Sequence, residues 1–175
     1  MSILSDAGSD MRSSSRGQPV LFDLPSSELV PVMSFRLWAE SVRAGAKGLP
    51  RWDGGFEAMG LDISGVQSFD MLGRTILAAK SGSVDVMWPC CARLGNDESK
   101  LLDCLRCVQY RETSLAAARF ADWLRPGAAR IAFALGCHLI ECFRGAGLWL
   151  PQRDLLPGWR TLPMIHQAAS STAIH

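Results

Sequence analysis

The sequence predicts one all-α domain, an irregular bundle of about five helices with one short extended segment. Apolar residues recur every three or four positions over most of the chain, which is the spacing of one buried helix face. Glycines and prolines interrupt this pattern where helices would end. With 175 residues and 48% hydrophobic content, the chain can bury one core but is short for two domains. We expect a flexible tail over 1–19, the helical domain over 20–147 and a proline-containing tail over 148–175.

The first helix is expected to begin at Pro31, because the first helical residue needs no N–H and proline has none. It should continue to Ala44, after which glycines and a proline end it. Its charged residues Arg36, Glu40 and Arg43 are expected on the solvent side. The apolar residues that form its buried face are Val32, Phe35, Trp38, Ala39 and Val42.

A short helical turn precedes Gly60, and a longer helix should follow with Ser64 as its N-cap and Gln67 completing a capping box. Gly73 inside that helix would permit close packing by a neighbour. The inner face comprises Val66, Phe69, Leu72, Ile76 and Leu77. Residues 83–88 then alternate polar and apolar, which predicts the short extended segment.

A helix from Asn96 to about Tyr110 is predicted next. Asp97 and Glu98 in its first turn interact favourably with the helix dipole, and we expect both carboxylates to be solvated. Another helix begins near Thr113. The last helix runs from Pro126 to Arg144 and is apolar most of the way round, so we expect it at the centre of the bundle.

Four cysteines lie at the join between the extended segment and the helix after it: Cys90, Cys91, Cys104 and Cys107. Helical cysteines three positions apart can present two thiolates to one zinc ion or iron–sulfur cluster. Adjacent Cys90 and Cys91 point apart more easily than together, and paired C-x-x-C motifs are absent. Cys104 is equally explained as a small buried apolar residue. One hypothesis is therefore a thiolate metal site or redox module. The other is that these cysteines are free thiols with no functional role.

A second group of metal-binding residue types, Cys137, His138 and Cys142, lies on the last helix. His138 and Cys142 are four positions apart and share a helix face, which can bind metal, although a buried histidine with one hydrogen bond has the same pattern. The sequence carries no catalytic motif of a known kind. We therefore expect no enzyme activity.

Charge and apolar runs limit the classes of partner. The 18 basic and 17 acidic residues leave a net charge of +1, so binding to nucleic acid is not favoured. A spacing near Phe56 and Phe69 resembles a helix-turn-helix, but Asp62 and Asp70 would face phosphate. No apolar run reaches the ~20 residues that span a bilayer, and the N-terminus lacks the apolar core of a secretory signal. These features indicate a cytoplasmic protein, of bacterial origin from its composition.

Exposed tryptophans near the end of the chain suggest how such a protein would act. Trp149, Leu155 and Trp159 lie where a small domain has little interior left to cover them. An exposed apolar patch marks a surface for a protein partner or for self-association, although the tail could also fold back over the bundle. The sequence therefore favours a non-catalytic, partner-binding or regulatory helical domain, without a cofactor unless the cysteines bind zinc or an iron–sulfur cluster.

Overall fold

The computed structural model describes residues 21–44, 48–80 and 82–152, and its regular elements are helical. A 3-10 turn at Leu21–Asp23 precedes six α-helices, which are α1 (Ser26–Ala44), α2 (Gly54–Ala58), α3 (Ile63–Ala79), α4 (Asn96–Gln109), α5 (Thr113–Trp123) and α6 (Pro126–Gly145). The described residues contain no β-strand, so the predicted all-α class is confirmed. None of the described helices is long and apolar enough to cross a membrane.

The core is built around α6, as predicted. This helix packs against α3, α4 and α5, while α1 packs against α2, α3 and α4. Leu139, Ile140 and Phe143 of α6 are completely buried. Gly73 of α3 lets Trp38 approach closely, because a Cβ atom there would lie 2.9 Å from the indole ring. The predicted role of this glycine is confirmed.

The beginning of α1 and the cap of α3 differ from the prediction. The amides of Glu28 and Leu29 both donate to the carbonyl of Pro25 at 2.9 Å, so α1 starts at Ser26, before Pro31. The N-cap of α3 is Asp62, whose carboxylate accepts from the Gly65 amide at 2.8 Å. Asp62 and Ser64 both lie near the start of α3, and spacing alone did not identify which one caps it.

Four burial predictions on α1 and α3 were wrong. Arg36 and Glu40 were expected outside but are buried, whereas Arg43 is exposed as predicted. Val42 and Leu77 were expected inside, but each is 46% exposed. Helical periodicity gives the direction of a side chain but not which neighbour covers it. A buried arginine needs a carboxylate from elsewhere in the chain, and for Arg36 this partner is Glu98 of α4.

Candidate functional site

Residues 82–95, hereafter the anchored loop, connect α3 to α4 and lie along α1. At one end the carbonyl of Val84 accepts from Arg43 at 3.3 Å. At the other end the carbonyl of Ala92 accepts from the amide of Leu21 at 2.6 Å. The loop therefore follows α1 from its C-terminal end to the turn that precedes it.

A completely buried ion pair holds the middle of this loop. Arg36 of α1 and Glu98 of α4 have side chains with no solvent exposure. The Nε atom of Arg36 lies 2.8 Å from Oε1 of Glu98, and Nη2 lies 2.9 Å from Oε2. Two parallel charge-assisted hydrogen bonds of this kind fix both the distance and the orientation of the two groups.

Arg36 also binds the loop backbone directly. Its two Nη atoms donate to the carbonyls of Trp88 at 3.2 Å, Cys91 at 2.6 Å and Arg93 at 2.6 Å. Together with the bonds to Glu98, these contacts use all five N–H groups that a guanidinium offers. A lysine could not make them, since its ammonium is a point donor without a planar fork.

Glu98 holds the other side of the loop. Its carboxylate accepts from the amide of Met87 at 3.0 Å and from the amide of Gly95 at 2.7 Å, in addition to Arg36. Gly95 is required here because a Cβ atom at this position would overlap the carbonyl of Asp85. The four hydrogen bonds saturate the carboxylate, whose two oxygens offer about four acceptor sites.

A second buried carboxylate, Asp97, holds the start of the loop. It accepts from the Asp85 amide at 2.6 Å and the Trp123 indole at 3.0 Å, and it forms an ion pair with Lys80. The Asp85 carboxylate accepts in turn from the amide of Asn96 at 2.9 Å. The prediction that these α4 carboxylates are solvated was wrong, because the dipole at the start of a helix favours an acid whether water or protein covers it.

The anchored loop carries exposed apolar side chains outside this buried network. Trp88 is 64% exposed, although its own carbonyl is held by Arg36. Phe22, which follows the residue bonded to Ala92, is 73% exposed. Cys90 is also exposed. The loop thus has a fixed backbone that presents an indole ring to solvent.

The structure separates the four cysteines of the predicted metal site by environment. Cys90 is exposed and Cys91 is half-buried, whereas Cys104 and Cys107 are buried within α4. Burial raises the pKa of the Cys104 thiol well above its usual value and that of Cys107 to about 11, so both remain protonated at neutral pH. No three His, Cys, Asp or Glu side chains in the described ranges are arranged to hold a metal ion. The zinc or iron–sulfur site stays a prediction, which the metal content of the purified protein tests.

The second cysteine group is partly exposed. His138 was expected to be buried, but it lies on the exposed side of α6 with Nε2 3.9 Å from the Cys142 sulfur. Ser64 of α3 lies 3.5 Å from the same sulfur. Burial raises the pKa of the Cys142 thiol. A nucleophilic cysteine needs a lowered pKa, so this cluster lacks an activated thiolate.

At the far end of α4 the structure describes part of the predicted partner surface. Trp149 is 54% exposed, with the Arg144 guanidinium carbon 5.9 Å from the centre of its ring. Leu148 and Leu150 on either side are buried, so the first residues of the predicted C-terminal tail belong to the core. Leu155 and Trp159 lie outside the described residues, as do most of the two predicted tails.

The buried pair of Arg36 and Glu98 could have been predicted from the positions of the two charges within their helices. Arg36 is four residues after Val32, on the same helix face as the apolar residues of α1. Glu98 is likewise three residues before Leu101 on the buried face of α4. Opposite charges at core positions of two helices are a pattern from which such a pair can be predicted, because neither charge is buried alone at an acceptable cost.

Comparisons with known proteins identify no relative. No protein-family model matches the chain, and neither a curated protein nor a solved structure matches it. The function is therefore inferred from the residues and contacts of this chain.

Proposed function

We propose that this chain is a non-catalytic domain that binds a protein partner in the cytoplasm, with the anchored loop as its main recognition surface. The observation that carries the proposal is Trp88, an exposed tryptophan on a loop whose backbone is held by a buried ion pair. Trp149 provides a second surface of the kind that the sequence predicts.

Trp88 is suited to binding for two physical reasons. Tryptophan is among the residues most enriched in binding hot spots, because one side chain supplies a large apolar area with few rotatable bonds. A loop that is already ordered in the free protein also loses little conformational entropy when a partner binds. Arg36 and Glu98 supply that order.

The same contacts favour binding over catalysis at this loop. Three of the five N–H groups of Arg36 hold loop carbonyls and the other two bind Glu98, whose oxygens also accept from two loop amides. Their polar groups are therefore committed to structure and are not presented to a substrate. The largest exposed apolar side chain of the loop is the Trp88 indole, and aromatic residues are enriched at protein interfaces.

Replacing Trp88 in the full-length chain tests this proposal. Partners are captured with the wild-type chain, identified by mass spectrometry and titrated against Trp88→Ala. We expect at least about a tenfold loss of affinity, as for a modest hot-spot residue, with an unchanged melting temperature.

Ile131→Ala is the matched control, since Ile131 is 55% exposed on α6 and should not affect capture. Trp149→Ala distinguishes the two surfaces. If Trp88→Ala binds like the wild type while Trp149→Ala does not, the recognition surface is the C-terminal one and the proposal for the anchored loop is wrong.

A further inference from the structure

A small apolar cleft lies between α1, α3 and the first residues of the anchored loop. Its floor and walls are formed by Phe35, Trp38, Val42, Gly73, Leu77 and Val84. Val42 and Leu77 are the two residues that periodicity placed in the core and that are instead 46% exposed. They form the sides of the cleft where it opens to solvent.

The size and lining of the cleft limit what it can bind. Its volume is about 30 Å³, compared with the ~300–1,000 Å³ typical of sites for cofactors and other small molecules. The indole N–H of Trp38 already donates to Asp70 at 2.8 Å, so the ring offers the cleft only apolar atoms. Water would find few hydrogen-bond partners there, and an apolar side chain would displace it favourably. The cleft fits the tip of one such side chain.

In the two ion pairs beside the cleft the arginine is more exposed than its carboxylate partner. The Arg43 side chain, which also lines the cleft, is 45% exposed, whereas its partner Glu40 is 3% exposed. Arg74 follows Gly73 and is 67% exposed, against 29% for its partner Asp70. The nearby Asp85 is also exposed, and its carboxylate accepts from the amide that begins α4. A partner approaching the cleft therefore meets an arginine beside Val42 and another beside Leu77.

We propose that this cleft binds a peptide segment of a protein partner in which one leucine-sized apolar side chain is flanked by carboxylates. The apolar side chain enters between Val42 and Leu77, and the flanking carboxylates approach Arg43 and Arg74. This inference deepens the proposed partner-binding function and rests on it. The cleft opens beside the start of the anchored loop, where Val84 lines it, so one partner can contact both the cleft and Trp88.

Two synthetic nonapeptides test the proposal on the full-length chain. Both have one central leucine, with glutamates on either side in the first and lysines in the second. In NMR titrations we expect the glutamate peptide to shift the methyl signals of Val42 and Leu77 and the indole N–H of Trp38. It should bind about fivefold more tightly than the lysine peptide, because two exposed ion pairs each contribute modestly. Added salt should reduce the difference.

Matched variants locate the binding. Leu77→Glu should abolish the shifts of the Val42 methyl signals and the Trp38 indole N–H, whereas Ile131→Glu, at an exposed aliphatic position on α6, should preserve them. Should Leu77→Glu fail to fold, Arg74→Gln is the second variant, and it should weaken binding of the glutamate peptide but not of the lysine peptide. Equal affinity for both peptides, or no shift at millimolar concentration, would overturn the proposal.

Two other occupants give different results. If residues after 152 fill the cleft, Leu155→Ser in the full-length chain will shift the Val42 and Leu77 methyl signals without any peptide. If a second copy fills it, those signals will move on dilution. Either result overturns the proposal. Trp88→Ala leaves the cleft intact, so failure of the peptide test and failure of the proposed function are distinguishable.

Discussion

The two ends of α4 are joined to the rest of the chain by different chemistry. At its N-terminal end, Glu98 and Asp97 bind the anchored loop through buried charges. At its C-terminal end, the neutral side chain of Gln109 binds the backbone of Leu150. The two ends lie about 20 Å apart along the 14-residue helix. Each end positions one exposed tryptophan, Trp88 or Trp149.

The neutral end works as a pair of amide hydrogen bonds. The Gln109 amide nitrogen donates to the Leu150 carbonyl at 2.8 Å, and its oxygen accepts from the Leu150 amide at 3.0 Å. The hydroxyl of Tyr110 also donates to the Leu150 carbonyl, at 2.9 Å. The Gln109 side chain thereby makes the two hydrogen bonds that the backbone of a neighbouring strand would make. It satisfies the buried backbone amide and carbonyl of Leu150 without any charge.

The difference between charged and neutral contacts determines how strongly each end of α4 holds the segment bound to it. A buried charge without its partner costs far more than a buried neutral group without one, so loss of Arg36 should disturb its end more than loss of Gln109. The charged end also holds a loop of 14 residues by contacts at several points along it, whereas the neutral end holds a single residue. We therefore expect the N-terminal end to be the more cooperative of the two.

The largest effect is expected for Arg36→Met. This change leaves Glu98 charged, buried and without its ion-pair partner, so the free energy of unfolding should fall by ~3–5 kcal/mol in urea titrations. The pair of Arg51 with Glu57, whose side chains are both exposed, provides the control, since Arg51→Met should leave the free energy of unfolding almost unchanged.

A double variant sharpens this test. Removing both partners of a buried ion pair is often neutral, because no lone charge remains. Here Arg36→Met with Glu98→Met should recover only part of the lost stability, since the carbonyls of Cys91 and Arg93 would still lack their donor. Full recovery would mean that the pair itself, and not its bonds to the loop backbone, is what matters.

A smaller effect is expected for Gln109→Ala. The change removes both hydrogen bonds to the Leu150 backbone, and an unsatisfied buried backbone group costs ~1–3 kcal/mol. The Leu150 amide should also lose its protection in hydrogen exchange, while the Met87 amide at the other end keeps it. Gln67→Ala, at an exposed position of α3, is the control. A Leu150 amide that stays protected would show that Gln109 does not hold this segment.

The sequence predicted the helices better than it predicted the long-range side-chain contacts that hold them and the loops together. Periodicity identified the buried face of α3 except for Leu77, and it identified the central position of α6, because both depend on local spacing. The Arg36 to Glu98 pair joins residues 62 positions apart, and the Gln109 to Leu150 pair joins residues 41 apart. Local spacing carries no direct information about contacts of that separation. The candidate loop was located from its cysteines, whereas the structure points to Trp88 and to the buried residues behind it.

The smallest effect on stability is expected for Asp103, which lies in the middle of α4, and it should depend on pH. Burial raises the pKa of the Asp103 carboxyl, against the opposing charges of Arg106 and Arg119. Between its ordinary pKa of about 3.9 and the raised value, the folded chain holds a proton that the unfolded chain has lost. The contribution of this group to stability therefore falls as the pH rises through that window, and it stays reduced above it.

Asp103→Asn removes this titration while keeping a side chain of the same shape. The variant should lack that part of the stability loss that the wild type shows as the pH rises from about 4 through the window. Urea titrations at a series of pH values measure this difference directly. Asp122→Asn on α5, at an exposed position, is the matched variant that also removes one carboxylate. If Asp103→Asn instead steepens the loss with rising pH, the ionised carboxylate is stabilised by its arginines more than burial disfavours it, and the middle of α4 then resembles its charged N-terminal end.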